Sequence, residues 1–369
     1  MIYLNNAATS WPKPDCVGKA MLKAIESPPG EHLRGGFGGT DIFEQVRKEL
    51  AFLLNEENPS RIALGCSATW ALNTAIFGMD LKKGDCVVST KAEHNSVLRP
   101  LYALKSQGIQ VILVDTDGQG RVDFQKWTSA VKQYRPRLAI LTNASNVTGA
   151  VNDVQQLSIP VKEINSILLL DCSQTFGCLS VNSRELGADL IAFTGHKYLL
   201  GPQGTGGLWV REGLQLKPWM VGGTGVRSDL HFMPEEMPLH LEAGTGSEPP
   251  CAGLLAALLW QKHNPINYQD LMEKTQYLSD KLQKIGADVV SVSGPRTPVI
   301  TFSLPEIPAS EAGYLLREGC GIACRTGLHC APLIFPCLHK KETIRFSLSR
   351  FTTNDDIEAA VQAVEAILP

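Results

Sequence analysis

The sequence predicts an α/β fold: a large unit on a mainly parallel seven-stranded sheet, followed by a smaller C-terminal α/β unit. Three observations carry this. Seven short apolar runs, "RIALG", "CVVST", "VILVD", "LAILT", "SILLLD", "LIAFTG" and "GGLWV", are spread from Arg61 to Val210. Continuous apolar runs of that length read as strands buried on both faces, as parallel sheets are. Helical patterns lie between them ("TWALNTAIFGM", "VLRPLYALKSQG", "DFQKWTSAVKQY"), and alternating strands and helices build a sheet covered on both sides. The character then changes after "EAGTGSEPP", where a long apolar helix, about 251–262, leads into a charged helix over 268–286. Strands "PVITFSL" and "TIRFSLS" and a last helix, "NDDIEAAVQAVEAIL", complete the smaller unit, to which the opening "IYLNN" is assigned as a further strand. The resulting division is 14–262 for the large domain and 1–13 with 263–369 for the small one. A chain of 369 residues is long enough for two such cores.

Composition narrows the class. Apolar residues make up 44% and charged residues 19%, as in ordinary globular proteins. The net charge of −3 gives no electrostatic case for nucleic acid or an anionic membrane as partner. The start, "MIYLNNAATSWPKP", has no basic region followed by an apolar core, and apolar runs such as "CAGLLAALLW" are too short for a membrane span. Ten cysteines spread along such a chain point to a reduced, cytoplasmic interior rather than a disulfide framework. Cys320, Cys324, Cys330 and Cys337 cluster near His329 and His339. Their spacings of four, six and seven lack the C-x-x-C pair of structural zinc sites, so no metal is assigned.

The chemistry begins at "SILLLDCSQTFG". Asp171 ends a very apolar strand, where an open α/β sheet presents groups to its ligand crevice; a helix cap or turn aspartate is the alternative. In "LIAFTGHKYLLGPQGTGGLWV", Lys197 follows the next strand, twenty-six residues on, in a turn set by Gly195. A lone lysine there reads as solvated. Paired with Asp171, it matches pyridoxal phosphate chemistry, which needs a Schiff-base lysine and an anion for the pyridinium nitrogen. "LGCSATWALNTAIFG" supplies a glycine, small polar residues and a helix start near Thr69, a plausible phosphate cradle though common among turns. His94 in "STKAEHNSVLRP" is either a ring-stacking group or a helix cap. Asn146 in "LTNASNVTGA" is either a cofactor ligand or a turn asparagine.

Taken together, "YLNNAAT", "ATWALN", "AEHNS", "SNVTG", "DCSQ", "TGHKYLLGPQGTGGLWV", "EAGT" and "RTGLHCAPL" resemble the class V aminotransferase-fold enzymes, in particular their cysteine desulfurase and selenocysteine lyase branch. The resemblance runs in order over nearly the whole chain. It implies a fold-type-I pyridoxal-phosphate transferase fold, pyridoxal 5'-phosphate as cofactor, L-cysteine or L-selenocysteine as substrate, a homodimer, and a possible sulfur-acceptor protein. By this resemblance Lys197 is the Schiff-base lysine and Asp171 the pyridinium partner. Gln174 and Asn146 lie near the phenolic oxygen, and His94 stacks on the ring and moves protons. Ala68, Thr69, Thr194 and His196 face the phosphate, with Thr245 reaching the partner subunit's site. Arg345 grips the substrate carboxylate, a bidentate task suited to guanidinium. It lies fifteen residues after Cys330, as in short-loop group II desulfurases. Cys330 matches the sulfur-accepting nucleophile, with Arg325 and His329 beside it to favour the reactive thiolate; Arg325, His329 and Asn146 are also expected to line the substrate site. Other reactions on the scaffold (transamination, epimerisation, β-elimination) would not need Cys330. The chain departs from the common pattern at Trp70, Thr194, His240, Phe335 and Cys337.

Overall fold

The computed structural model describes residues 1–28 and 41–368; 29–40 and 369, inside the sequence-based domain division, lie outside it. A short strand β1 (Ile2–Tyr3) precedes helices α1 (Asp15–Glu26) and α2 (Ile42–Leu54). Strands and helices then alternate: β2 (Ile62–Gly65), α3 (Ala68–Gly78), β3 (Cys86–Thr90), α4 (Asn95–Ser106), β4 (Gln110–Val114), α5 (Phe124–Tyr134) and β5 (Leu138–Thr142). They continue through α6 (Val154–Glu163), β6 (Ile167–Asp171), α7 (Ser183–Leu186), β7 (Leu190–Thr194) and β8 (Gly206–Val210). Helices α8 (Glu248–His263) and α9 (Tyr268–Lys284) lead to β9 (Asp288–Val289), β10 (Val299–Ser303) and α10 (Ala309–Glu318). Last come β11 (Ile322–Ala323), β12 (Arg325–Gly327), β13 (Thr343–Ser347) and α11 (Asn354–Ile367).

The large sheet has the order β2-β8-β7-β6-β5-β3-β4. Its pairs are parallel except the two that involve β8. All seven strands fall on the apolar runs read from the sequence. Successive residues of one strand serve opposite faces: Leu168 and Leu170 pack in one apolar cluster and Leu169 in the other, as do Ile191 and Phe193 against Leu190 and Ala192. Burial on both faces is why these strands read as unbroken apolar runs. β4 lies on one side of β3 and β5 on the other, so the order reverses between β3 and β5. A crevice opens at such a point beyond the carboxyl ends of the strands, and His94, Asn146, Asp171 and Thr194 lie at or after the ends of β3, β5, β6 and β7.

The second sheet, β12-β13-β10-β9, is antiparallel. β1 pairs with β11, Ile2 opposite Ile322, and Leu4 is buried in the apolar cluster that includes Phe302, Phe346 and Leu278. The opening strand therefore packs with the C-terminal elements, and a bridge between Asn5 and Ser347 carries the following residues back toward the large sheet. Among the described residues no helix is long and apolar enough to cross a membrane. All ten cysteines are free.

Candidate active site

Side chains from four strand ends converge on a cleft of about 190 Å3. One end is the start of α3. Ser67 caps it, its Oγ accepting from the Trp70 N–H at 3.2 Å. The first-turn amides of Ala68 and Thr69 have no acceptor within a helix, and such amides with the helix dipole favour an anion. The turn sits close on β8 because residue 206 is glycine: a Cβ there would lie 2.7 Å from the Ser67 carbonyl carbon. Thr69 Oγ1 and Ser96 Oγ are 2.8 Å apart. Thr194 Oγ1 donates to the Thr205 carbonyl at 3.3 Å. His196 also lines the cleft, and its buried Nδ1 has no partner among the described residues. Burial and the adjacent Lys197 charge lower its imidazole to about 4, so the ring is neutral at pH 7. The His196 carbonyl is held by the Ser10 N–H at 3.0 Å and by Thr9 Oγ1 at 3.2 Å, which fastens the N-terminal segment to the lysine turn.

Lys197 and Asp171 line the same cleft. Burial brings the Lys197 amine down from 10.5 to about 8 even though Asp171 pulls the other way; Arg345 and Arg325 add to the lowering. Asp171 Oδ1 accepts from the Ser173 N–H and hydroxyl, at 2.9 and 2.5 Å. Gln174 Nε2 donates to the Ala7 carbonyl at 3.1 Å, and its buried Oε1 has no partner among the described residues. Of the two roles the sequence allowed for His94, the helix cap is observed directly. It lines the cleft, and it caps α4, with Nδ1 accepting from the Ser96 N–H at 3.1 Å. Burial and Lys197 lower its imidazole to about 4.

The far wall comes from the second sheet, where Arg325 of β12 pairs with Arg345 of β13 in register. Arg345 is 1% exposed; its Nη1 donates to the Asn146 carbonyl at 2.8 Å, its Nη2 to Asn5 Oδ1 at 3.3 Å, and its Nε has no partner among the described residues. Burial and Arg325 lower its guanidinium to about 10, still fully charged at pH 7. Arg325 Nη2 donates to Cys330 Sγ at 2.7 Å. His329 and Cys330 both have positive φ, 48° and 60°, a rare conformation for residues with side chains and one that marks a tightly held turn. Asn146 Nδ2 donates to the His329 carbonyl at 2.7 Å and the Asn95 N–H to the Cys330 carbonyl at 2.7 Å, tying that turn to the ends of β5 and β3. Cys330 lines a neighbouring groove of about 480 Å3, with Thr69, His94 and Ser96 forming a wall common to groove and cleft.

One expectation is corrected. His329 neither supports the thiol nor faces a substrate. The left-handed turn sends its ring into the core, where it is 2% exposed, has Nε2 2.8 Å from Thr343 Oγ1 and lies against Phe335. Burial holds it well below the usual imidazole range, so it carries no charge to share. Thr245 is exposed and is not among the groups lining this chain's cleft.

The family model for class-V aminotransferases matches residues 2–360. The chain belongs to the aminotransferase class-V family. A probable cysteine desulfurase of Methanothermobacter thermautotrophicus is 28% identical over 382 residues, covering 99% of this chain and 94% of the relative. Cysteine desulfurase CsdA of Escherichia coli is 29% identical over 381 residues, covering 100% and 94%. Its crystal structure, in an S-sulfonic acid form, superposes with a TM-score of 0.88 at 26% identity, covering 99% of this chain and 94% of that one. An apo cysteine desulfurase from Thermococcus onnurineus, at 24% identity, has the same fold, with a TM-score of 0.90 over 100% of this chain and 94% of that one.

Within this family the cleft suits pyridoxal 5'-phosphate on its own evidence. It offers an amide-lined helix start for the phosphate, the Asp171 carboxylate for a cationic ring nitrogen, a partly desolvated lysine, and unpartnered polar atoms on Gln174 and His196. Two contributors escaped the sequence reading. Ser96 joins Thr69 to His94, and its place two residues after a helix cap was the available signal. Asn5 joins the N-terminal segment to Arg345, a contact across 340 residues that no local pattern announces.

Proposed function

We propose that this protein is a pyridoxal-phosphate-dependent cysteine desulfurase that converts L-cysteine to L-alanine and takes the sulfur onto Cys330. The observation that carries the reading is the Arg325–Cys330 hydrogen bond at 2.7 Å on a strained turn, with Arg325 lining the cleft that holds Lys197 and Asp171. When bound, pyridoxal 5'-phosphate supplies an electron sink for charge developing at the substrate α-carbon. Ala68, Thr69, Thr194 and His196 would hold the phosphate, His94 would lie against the ring, and Asp171 would keep a proton at the ring nitrogen. Asn146 and Gln174 would border the phenolic oxygen. Arg345 offers its Nε–Nη2 edge to the substrate carboxylate, since Nε has no partner among the described residues and Nη2 is only weakly engaged. Lys197 Nζ moves the proton at the α-carbon. Cys330 Sγ, which accepts a hydrogen bond from Arg325, attacks the substrate sulfur. The carbon–sulfur bond breaks and a sulfur–sulfur bond forms; the electron pair stays on the β-carbon, which takes a proton to give alanine. The same reading makes the enzyme a cytoplasmic homodimer, with Thr245 of each subunit completing the other's phosphate site and an acceptor protein collecting the sulfur. It also takes 14–262 as the cofactor domain and 1–13 with 263–369 as the domain carrying the cysteine turn. Incubating the loaded protein with L-cysteine tests it: alanine must appear, and its absence sinks the reading.

Two expected outcomes follow from the geometry. Arg345→Lys loses the bidentate grip, so KM for L-cysteine rises by about 10- to 100-fold with a smaller change in kcat; steady-state kinetics check this. Only a neutral amine attacks an aldehyde, so uptake of pyridoxal phosphate by cofactor-free protein speeds up as pH rises and levels off above about 8, the value burial imposes on Lys197. A rate still rising at the ordinary lysine value of 10.5 would contradict the assigned environment.

A further inference from the structure

Glu93 has no part in the chemistry above, yet it is fully buried beside it. Its Oε1 accepts from Thr90 Oγ1 at 2.7 Å and from the Thr142 N–H at 2.9 Å. Thr142 ends β5 directly opposite Asp171 of β6. The other carboxyl oxygen, Oε2, is buried with no partner among the described residues. The next residue is His94, which lines the cleft; the one after is Asn95, whose N–H holds the Cys330 carbonyl. Three consecutive residues thus grip the sheet end, the cleft and the cysteine turn.

We propose that Glu93 is a positioning residue, tying the loop that carries His94 and holds the Cys330 turn to the strand end beside Asp171. The inference rests on the desulfurase reading for its kinetic consequences only. The state of the group suits the role. Burial pushes its carboxyl up to about 8 against the two hydrogen bonds it accepts, and the Asp171 charge adds to the push. At pH 7 Glu93 is therefore a neutral acid. Asp171, from β6, is the charged group acting on it among the described residues, while β3 and β5 contribute the neutral donors Thr90 and Thr142. One oxygen of a neutral acid accepts both bonds, and no second negative charge competes with Asp171 for the proton at the ring nitrogen.

The test compares Glu93→Gln, which keeps acceptor and volume, with Glu93→Ala, which removes the tie and orphans the Thr142 N–H. The glutamine variant keeps kcat within about threefold of wild type. The alanine variant loses on the order of 10²-fold in kcat, with a smaller change in KM, because the ring and thiol are misplaced. It also holds pyridoxal phosphate about tenfold more weakly. Melting of the cofactor-free protein gives an arm independent of activity. A carboxyl raised from 4.5 to about 8 on folding stabilises fully below 4.5, and that contribution is lost as pH rises through about 8. Glutamine has no such loss, so its melting temperature gains on wild type between about pH 5 and about pH 8.5. Should the alanine variant not fold, Thr90→Val removes one of the two donors, with an expected loss of about tenfold in kcat. A glutamine variant as damaged as alanine overturns the inference, as does a folded alanine variant with wild-type kcat and cofactor affinity. If wild type releases no alanine from cysteine, the parent reading fails, while the affinity and melting arms still decide Glu93.

Discussion

Cys330→Ala lowers kcat for L-cysteine by on the order of 10³-fold or more, while the protein still folds and still takes up pyridoxal phosphate. The size follows from what the thiol does. In the proposed reaction it is the atom that accepts sulfur, so without it the carbon–sulfur bond has no partner for its departing sulfur. The damage stays local because Cys330 is half-buried on a turn held through main-chain bonds from Asn146 and Asn95, none of which uses the thiol. Arg325 loses an acceptor but remains beside Arg345 on the paired strand. With L-selenocysteine the loss is smaller, since a selenol is more acidic and selenium leaves more readily without a nucleophile. Steady-state alanine release on both substrates, with the visible spectrum as a check on cofactor loading, measures this. Equal losses on the two substrates would mean that Cys330 does more than accept the chalcogen.

Lys197→Ala abolishes turnover with either substrate, with kcat falling on the order of 10⁴-fold. In the proposed reaction Lys197 both anchors the cofactor covalently and moves the α-proton, so one substitution removes both. Its amine is suited to that work because burial and the two arginines bring it down to about 8, where neutral and charged forms are both at hand near pH 7 to 8. Asp171 and the helix-start amides remain, so the variant keeps noncovalent affinity for pyridoxal phosphate. Small primary amines in the buffer restore part of the proton transfer. Reduction with borohydride followed by peptide mapping completes the test: cofactor is fixed at residue 197 in wild type and nowhere in the variant.

Much of this was legible in the sequence because the large sheet is buried on both faces. β5, β7 and β8 are buried at every position, so their runs are almost wholly apolar, and β5 and β7 end on Thr142 and Thr194, which line the cleft. Asp171 and Lys197 could be paired across twenty-six residues because both follow such strands. The second sheet was less legible. β11 and β12 are two and three residues long, too short for any periodicity, and the register that sets Arg325 against Arg345 is a long-range pairing. Helices α1, α2, α6, α7 and α10 carry no clear sequence signal. α6 carries Pro160 in its interior, which local pattern reads as a break. His329 adjoins Cys330 in sequence but not in surroundings, because two successive left-handed residues turn the ring and the thiol apart. Glu93 gave no signal, since a carboxylate in a loop ordinarily faces water.

The departures from the common pattern have structural settings. The Trp70 ring packs over Gly65, where any Cβ would collide with it. Phe335 is 2% exposed in a cluster with Ala92, Val147 and Ile334, sealing the base of the cysteine turn. His240 has both ring nitrogens against main-chain carbonyls, of Pro234 at 2.7 Å and Leu216 at 2.8 Å, so it holds the segment leading to Thr245.

The most direct measurement is the location of sulfur after turnover. Loaded wild-type protein is given L-cysteine without reductant, alanine is counted, and the peptides are mapped by mass spectrometry. One alanine is expected for each added sulfur atom, with that atom on the peptide at Cys330. Alanine formed with the sulfur released as free sulfide, or carried on Cys337 in place of Cys330, would contradict it.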